Sequence, residues 1–264
     1  CPGAWRMQME SRTPDPRLVA LLARAQRVMV FTGAGVSTGS GIPDFRGPDG
    51  VWKTRRPVEL DEFLRSETAR VAYWEWKRES LPRIRGAVPN ATHRACARLE
   101  EAGRLEAVVT QNVDGLHERA GTSRDRLVEL HGTDSRVTCL TCGEEAPLDE
   151  TYAAFTASGR APRCTCGGFL KPATISFGQA LRAEDLERAA RAAAGCDLVI
   201  SLGSTLSVHP AAGFPLLAAR RRVPYAIVNR GVTDHDGLSV VTLRLEGDVS
   251  ALFPPAVERA LAQG

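Results

Sequence analysis

The sequence predicts an α/β fold: a doubly wound, mostly parallel sheet with a smaller domain formed by insertions. Three observations predict it. Short apolar runs alternate with helical patterns along most of the 264 residues, an order that places helices on both faces of a parallel sheet. The apolar runs end in polar or glycine residues. Two stretches, one aromatic and one carrying cysteine pairs, interrupt the alternation.

The elements follow in order. Residues 28–31 are a four-residue apolar run entering a glycine-rich turn, which reads as a buried strand. Residues 90–102 read as a helix with Ala95, Leu99 and Ala102 on one face and Gly103 as its stop. A strand over 105–110 then ends at Gln111-Asn112. Next come a helix over 184–194, a strand over 198–202 ending in Gly203-Ser204, and a helix over 211–221. Strands over 225–228 and 240–245 and a helix over 250–262 close the chain. The expected large domain is 14–47, 87–132 and 173–264. Residues 48–86 (with Trp52, Phe63, Tyr73, Trp74 and Trp76) and 133–172 form the small one, with a cleft between the two. Residues 1–13 read as a disordered extension, with Met7 or Met9 as the natural start.

Composition narrows the partners. A hydrophobic fraction of 43% with 25% charged residues is that of an ordinary globular chain, not a disordered one. Net charge is only +3 and the 34 basic residues are dispersed. The run Arg220-Arg221-Arg222 reads as a solvated helix end, so no nucleic-acid partner is expected. No apolar run approaches the ~20 residues of a membrane span, and the first twelve residues lack a signal-peptide pattern. Seven cysteines, four of them in tight pairs, then read as metal ligands before disulfides, in a reducing cytoplasm.

Around the glycine-rich turn, Gly33, Ala34, Gly35 and Ser37 would let the backbone approach a pyrophosphate. The spacing is not the dinucleotide fingerprint, because Thr38 holds the place of its third glycine, and no P-loop lysine follows. By itself a tight turn with no ligand fits equally. The loop after it, from Gly41 to Gly47, presents Asp44, Phe45 and Arg46 and is costly to order unless it closes over something. Four strand ends, Thr32-Gly33, Gln111-Asn112, Gly203-Ser204-Thr205 and Asn229-Arg230, belong to the crevice where open sheets bind ligands. Gln111, Asn112 and Asp114 offer two amides and a carboxylate for sugar hydroxyls and a carboxamide. His131 is a general-base candidate, its reference pKa being ~6.5; alone, a satisfied structural histidine is the competing reading.

Cys139-Leu140-Thr141-Cys142 and Cys164-Thr165-Cys166, separated by 21 residues, have zinc-ligand spacing. Four thiolates close the coordination sphere, so one Zn2+ is expected in a structural role, contributing an apparent ~10–16 kcal/mol in small zinc domains. Cys96 and Cys196 lie in apolar contexts and read as buried; Cys1 has no reading.

In combination these motifs resemble the sirtuin family, NAD-dependent protein lysine deacylases. The resemblance runs from about Val28 to Val249 through Gly33-Ala34-Gly35-Val36-Ser37, the 41–47 loop, Gln111-Asn112-Val113-Asp114, His131-Gly132, the cysteine pairs, Gly203-Ser204-Thr205 and Asn229-Arg230. It implies a Rossmann-type large domain and a zinc-binding small domain, with NAD as cosubstrate in the cleft and an acyl-lysine protein or peptide entering from the opposite side. Nicotinamide leaves, and the acyl oxygen attacks the ribose carbon. By similarity His131 is the base that activates a ribose hydroxyl, and Asn112 holds the ribose and a catalytic water. Ile42, Asp44 and Asp114 line the nicotinamide pocket, and Phe45 shields the reactive carbon. Ser204 meets phosphate, and Asn229 and Arg230 the adenosine side. Arg46, Trp52, Gln111, Gly203, Thr205 and Val249 complete the cofactor set. The substrate loop, Pro172-Ala173-Thr174-Ile175-Ser176-Phe177-Gly178-Gln179, departs from the family pattern, which usually carries two valines and ends Phe-Gly-Glu. No tyrosine and arginine pair for acidic acyl groups is visible. The stretches 49–52 and 233–236 resemble a branch with weak deacetylase, long-chain deacylase and ADP-ribosyl transfer activities. Two rivals follow: a protein mono-ADP-ribosyltransferase, and a non-catalytic NAD-sensing module, against which intact His131, Asn112 and Asp114 argue.

Overall fold

The computed structural model describes residues 13–47 and 50–263. Most of the expected extension over 1–13, with Cys1, Met7 and Met9, and the domain boundary at Pro48 and Asp49 lie outside the described residues.

The chain begins with α1 (Pro16–Arg24), capped by the Asp15 carboxylate with proline in the first turn, and then β1 (Val28–Thr32). The helices α2 (Leu60–Arg65), α3 (Glu67–Gly86) and α4 (Ala91–Glu101) precede β2 (Leu105–Thr110), α5 (Leu116–Arg119) and β3 (Leu127–Glu129). Next come β4 (Gly132–Cys139), β5 (Glu145–Pro147), α6 (Leu148–Ser158) and β6 (Leu170–Thr174). The chain closes through α7 (Ala183–Gly195), β7 (Leu198–Leu202), α8 (Gly213–Ala219), β8 (Tyr225–Asn229), β9 (Leu243–Glu246) and α9 (Val249–Leu261).

Six strands make one wholly parallel sheet in the order β3-β2-β1-β7-β8-β9. In order along the chain this is 3-2-1-4-5-6, the doubly wound Rossmann arrangement, whose direction reverses between β1 and β7. Each residue of β1 is buried, as a strand covered on both faces must be. Its side chains alternate between two cores. Val28 and Val30 join Leu18, Leu22, Leu99, Phe253 and Val257 on the α1–α4–α9 side. Met29 and Phe31 join Ala189, Ala193, Cys196 and Tyr225 on the α7–α8 side. Cys96 and Cys196 are both buried.

A second, three-stranded antiparallel sheet has the order β5-β4-β6. It packs on α2, α3 and α6 through Phe63, Tyr73, Trp74, Leu81, Val137, Leu148 and Phe155. The α/β class and the smaller inserted body match the expectation. Several boundaries differ. Ala102 is exposed, because α4 stops at Glu101 and Ala102 is its cap. The helix expected over 211–221 is only α8, with Arg220, Arg221 and Arg222 exposed beyond its end. Val240 and Val241 sit in a turn held by the Val241 N–H on the Leu238 carbonyl, so β9 starts at Leu243.

Candidate active site

The carboxyl ends of β1, β2, β7 and β8 open onto one cavity of about 810 Å³. Backbone contact builds its floor. Gly203 takes φ +59, and a Cβ there would lie 2.6 Å from the Val36 nitrogen; a Cβ on Gly35 would lie 2.8 Å from the Gly203 Cα. Glycine at both positions lets the turn after β1 sit directly on the turn after β7, leaving bare backbone toward the cavity.

His131 stands where the chain leaves β3 of the large sheet and enters β4 of the small one. Its Nδ1 lies 2.9 Å from the Gln111 carbonyl. A carbonyl only accepts, so Nδ1 carries the proton and Nε2 is left unprotonated. Burial holds the imidazole below its ordinary pKa, partly opposed by the Gln111 bond. The ring is therefore a neutral base at pH 7 with one free nitrogen on a cavity-lining side chain.

Asn112 is oriented from behind. Its Nδ2 donates to the Gly33 carbonyl (3.2 Å) and Ser37 Oγ (3.1 Å), and its N–H to Thr110 Oγ1 (3.0 Å). With both amide hydrogens used, the carboxamide oxygen is the group left to accept. Ser37 Oγ in turn donates to Asp114 Oδ2 at 2.7 Å, while Asp114 Oδ1 receives the Leu116 N–H. Burial raises the Asp114 pKa, and these two donors work against it. Gln111 Nε2 donates to Ser204 Oγ at 2.8 Å, tying the end of β2 across to that of β7.

The rim is aromatic. Phe45 stacks on Trp52 at 5.1 Å, and Trp52 meets Trp76 at 5.5 Å and Phe177 at 6.4 Å. Arg46 lies over the Phe177 ring, and the Gly47 N–H donates to Asp44 Oδ1 at 2.8 Å, closing the loop. At the far wall Arg230 pairs with Asp248 at 2.8 Å beside Asn229 and Val249.

Of the residues expected at the site, Gly33, Ala34, Gly35, Asp44, Phe45, Arg46, Trp52, Gln111, Asn112, His131, Gly203, Ser204, Thr205, Asn229, Arg230 and Val249 line the cavity. Ser37 and Asp114 stand behind Asn112 instead, and Ile42 packs on Ala87 and Leu116. Sequence reasoning did not reach Tyr73, Trp76 and Lys77, which α3 brings to the wall; their aromatic run was visible but its direction was not. It also passed over His93 and His117, whose buried rings meet at 4.8 Å behind Ser37 and Thr32. Burial pushes His93 down to about 4 and His117 well below the ordinary range.

Cys139, Cys142, Cys164 and Cys166 bring their Sγ atoms within 4.8 Å of one another. Cys139 Sγ lies 3.6 Å from Cys166 Sγ, and Cys142 Sγ 3.8 Å from Cys164 Sγ. A tetrahedron of Zn–S bonds of ~2.3 Å has edges of about 3.8 Å, so the four thiols fit one Zn2+. The one-residue spacing of the second pair is accommodated by Gly167 in the left-handed region (φ +84). The cluster belongs to the small sheet, away from the cavity-lining residues, as a structural metal requires. Among the described residues no helix is long and apolar enough to cross a membrane.

Comparison with known proteins agrees with this geometry. Residues 33–210 match the Sir2 family model. The NAD-dependent protein deacetylase 1 of Bradyrhizobium diazoefficiens is 42% identical over 88% of this chain and 92% of its own length. The NAD-dependent protein deacylase 2 of Archaeoglobus fulgidus is 38% identical over 90% and 92%. A solved Sir2 with a p53 peptide and NAD+ superposes with a TM-score of 0.81 at 32% identity, covering 98% of this chain and 99% of that one. The chain belongs to the Sir2 family.

Proposed function

We propose that this protein is an NAD-dependent protein lysine deacylase that converts acyl-lysine, NAD and water into lysine, nicotinamide and O-acyl-ADP-ribose. The observation that carries the reading is the tautomer of His131, a neutral base opening Nε2 onto a cavity floored by the two glycine turns.

The residues present fit the cosubstrate. Gly33, Ala34, Gly35, Gly203, Ser204 and Thr205 offer bare backbone and hydroxyls to the pyrophosphate. Asn229, Arg230 and Val249 hold the adenosine side. Asp44 shapes the nicotinamide end, with Ile42 and Asp114 completing that pocket by similarity to the family. When bound, NAD supplies the ribose carbon that takes the acyl oxygen as nicotinamide departs. His131 Nε2 accepts the proton of a ribose hydroxyl, a step that general-base catalysis typically speeds ~10²–10⁴-fold. Asn112, its amide hydrogens engaged by Gly33 and Ser37, presents its oxygen to the ribose or a water. Phe45, stacked on Trp52, excludes solvent from the reacting carbon, which favours charge development among fixed dipoles. Residues 172–179 receive the acyl-lysine. Cys139, Cys142, Cys164 and Cys166 hold Zn2+ and take no part in the chemistry. A reducing cytoplasm suits four cysteines kept as metal ligands rather than disulfides, and the reading needs neither nucleic acid nor membrane.

The test is mass spectrometry of an acyl-lysine peptide panel incubated with the protein and NAD. Loss of an acyl group with matching nicotinamide and O-acyl-ADP-ribose is expected. Nicotinamide release with unchanged peptide and ADP-ribose mass on a protein would replace deacylation by ADP-ribosyl transfer.

A further inference from the structure

Strands β4 and β6 do not pair along their whole length. Gly132 stands opposite Thr174 and Val137 opposite Pro172, so four residues of β4 face the single residue Ala173. The displaced stretch turns away from β6, and the Asp134 N–H donates to the Val113 carbonyl at 2.9 Å. β6 is an edge strand of this sheet, and its pairing with β4 turns the Pro172 and Thr174 carbonyls away from β4 toward that edge. Buried there, they need other donors, since buried backbone acceptors are rarely left unpaired. Lys171 supplies them. Its side chain folds back along its own strand, and Nζ donates to the carbonyls of Pro172 (3.2 Å) and Thr174.

Lys171 is fully buried, and an ammonium buried without a bonded anion is expensive. Among the described residues no carboxylate is hydrogen-bonded to it. The nearby Asp134 is taken by Lys77 at 2.5 Å, in a pair that is itself buried. The Tyr73 ring lies 5.6 Å from Lys171 Nζ and 5.9 Å from Lys77 Nζ, and its hydroxyl meets Thr174 Oγ1 at 3.1 Å. An apolar side chain would avoid the desolvation cost, but it would take the ammonium donor from the two edge carbonyls. Burial, the largest influence, lowers the Lys171 pKa.

The far end of β6 is where this matters. The Ile175 N–H donates to the His131 carbonyl at 2.8 Å, so the backbone carrying the base also anchors the first residue beyond β6. The following residues line the cavity, and the Ser176 N–H is held by Gln179 Oε1 at 3.1 Å.

We infer that Lys171 is a positioning residue for acyl-lysine recognition: its ammonium holds the Pro172 and Thr174 carbonyls along the open edge of β6 and thereby fixes the 174–179 segment against His131. The kinetic part of this rests on the deacylase reading; the positioning part does not.

The test compares wild type with Lys171→Met, Lys171→Arg and Tyr73→Phe. It reads acetyl-lysine peptide KM at saturating NAD, NAD Kd by calorimetry, and amide hydrogen exchange at Ile175. Lys171→Met raises peptide KM about tenfold or more, as loss of charged hydrogen bonds predicts, leaves NAD Kd within about twofold, and strips protection from the Ile175 amide. Lys171→Arg recovers most of both effects, because a guanidinium can donate to the same carbonyls. Tyr73→Phe shifts them less and in the same direction. Lys171→Met that only lowers the melting temperature, or that worsens NAD and peptide binding equally, overturns the inference. If Lys171→Met does not fold, the decision passes to Tyr73→Phe, where unchanged peptide KM and Ile175 exchange refute it. A wild type that deacylates no peptide sinks the functional reading alone, and exchange at Ile175 still decides the positioning role.

Discussion

The two sheets meet at His131 but cohere by different means. In the six-stranded sheet, β1, β7 and β8 are buried along their entire length, and helices supply an apolar core on each face. The three-stranded sheet has one small apolar core, and adds to it four clustered thiols and two buried lysines, Lys171 on β6 and Lys77 on α3. A parallel sheet sandwiched by helices removes enough apolar surface from water to hold itself. A small antiparallel sheet does not reach that size, and such units recruit metals and ion pairs. The difference teaches that stability and chemistry can be perturbed separately here: the small sheet through its metal, the crevice through single side chains.

The largest expected effect tests the small sheet. Chelation, or Cys142→Ser, removes a contribution that reaches an apparent ~10–16 kcal/mol in small zinc domains. Near-ultraviolet circular dichroism, which senses Trp74, should show a new early transition while the far-ultraviolet helix signal of the large sheet persists. One unchanged cooperative melt, with zinc shown absent, would erase the contrast.

His131→Ala is the counterpart in the crevice. Turnover should fall ~10²–10⁴-fold, with NAD affinity and melting temperature retained. Deacylation at the wild-type rate would remove His131 from the role of base.

Phe155→Ala and Phe253→Ala, each emptying a fully buried site, should both cost about 3–5 kcal/mol. Urea unfolding sharpens the comparison: the first should deepen sensitivity to chelator, the second should not. Equal sensitivity would mean that the two sheets unfold as one body.

The smallest effect is graded with pH. Burial holds His93 at about 4 in the native state against an ordinary 6.5. Its folded pKa is depressed, so the unfolded chain takes up the proton first, and its contribution to stability is flat above pH 6.5. It then falls by up to about 1.4 kcal/mol per unit as pH drops toward 4; His117 and His131, also depressed by burial, act in the same direction. Burial raises Glu129 to about 7, which opposes this slope in the same window. The difference in denaturant midpoint between wild type and His93→Gln at pH 7, 6 and 5 therefore isolates the histidine, and a level difference would contradict its neutral burial. The acid limb of kcat/KM should likewise lie below pH 6.5, since the base needs His131 unprotonated.

The contrast between sheets also explains what the sequence made legible. β1, β2, β7 and β8 are apolar runs covered on both faces, and their polar ends pointed to a common crevice that is found there. The cysteine spacing announced a metal site before any geometry. By contrast α1, a nine-residue helix with only Leu18, Val19 and Leu22 buried, was not read, nor was α6 within the cysteine stretch. β4 and β6 escaped because Asp134 and Lys171 are buried within them, which breaks the alternation that marks a strand. Ser37 and Asp114 carry motif positions but stand behind Asn112 rather than on the cavity wall, and Lys77 reaches the cavity from a helix whose orientation no local pattern records.

Alone, the sequence determined the elements and their order, the class of sheet, the polar strand ends and the metal-ligand spacing. These are local properties: periodicity, turn chemistry and the separation of donors along a chain. Tertiary structure decided the rest. It set the His131 proton on Nδ1 through a carbonyl 20 residues away, engaged both Asn112 amide hydrogens, brought the aromatic rim together, and turned Lys171 inward. Each depends on register and on which groups share a buried space, and burial, which prices every unpaired polar atom, exists only once the chain has closed on itself.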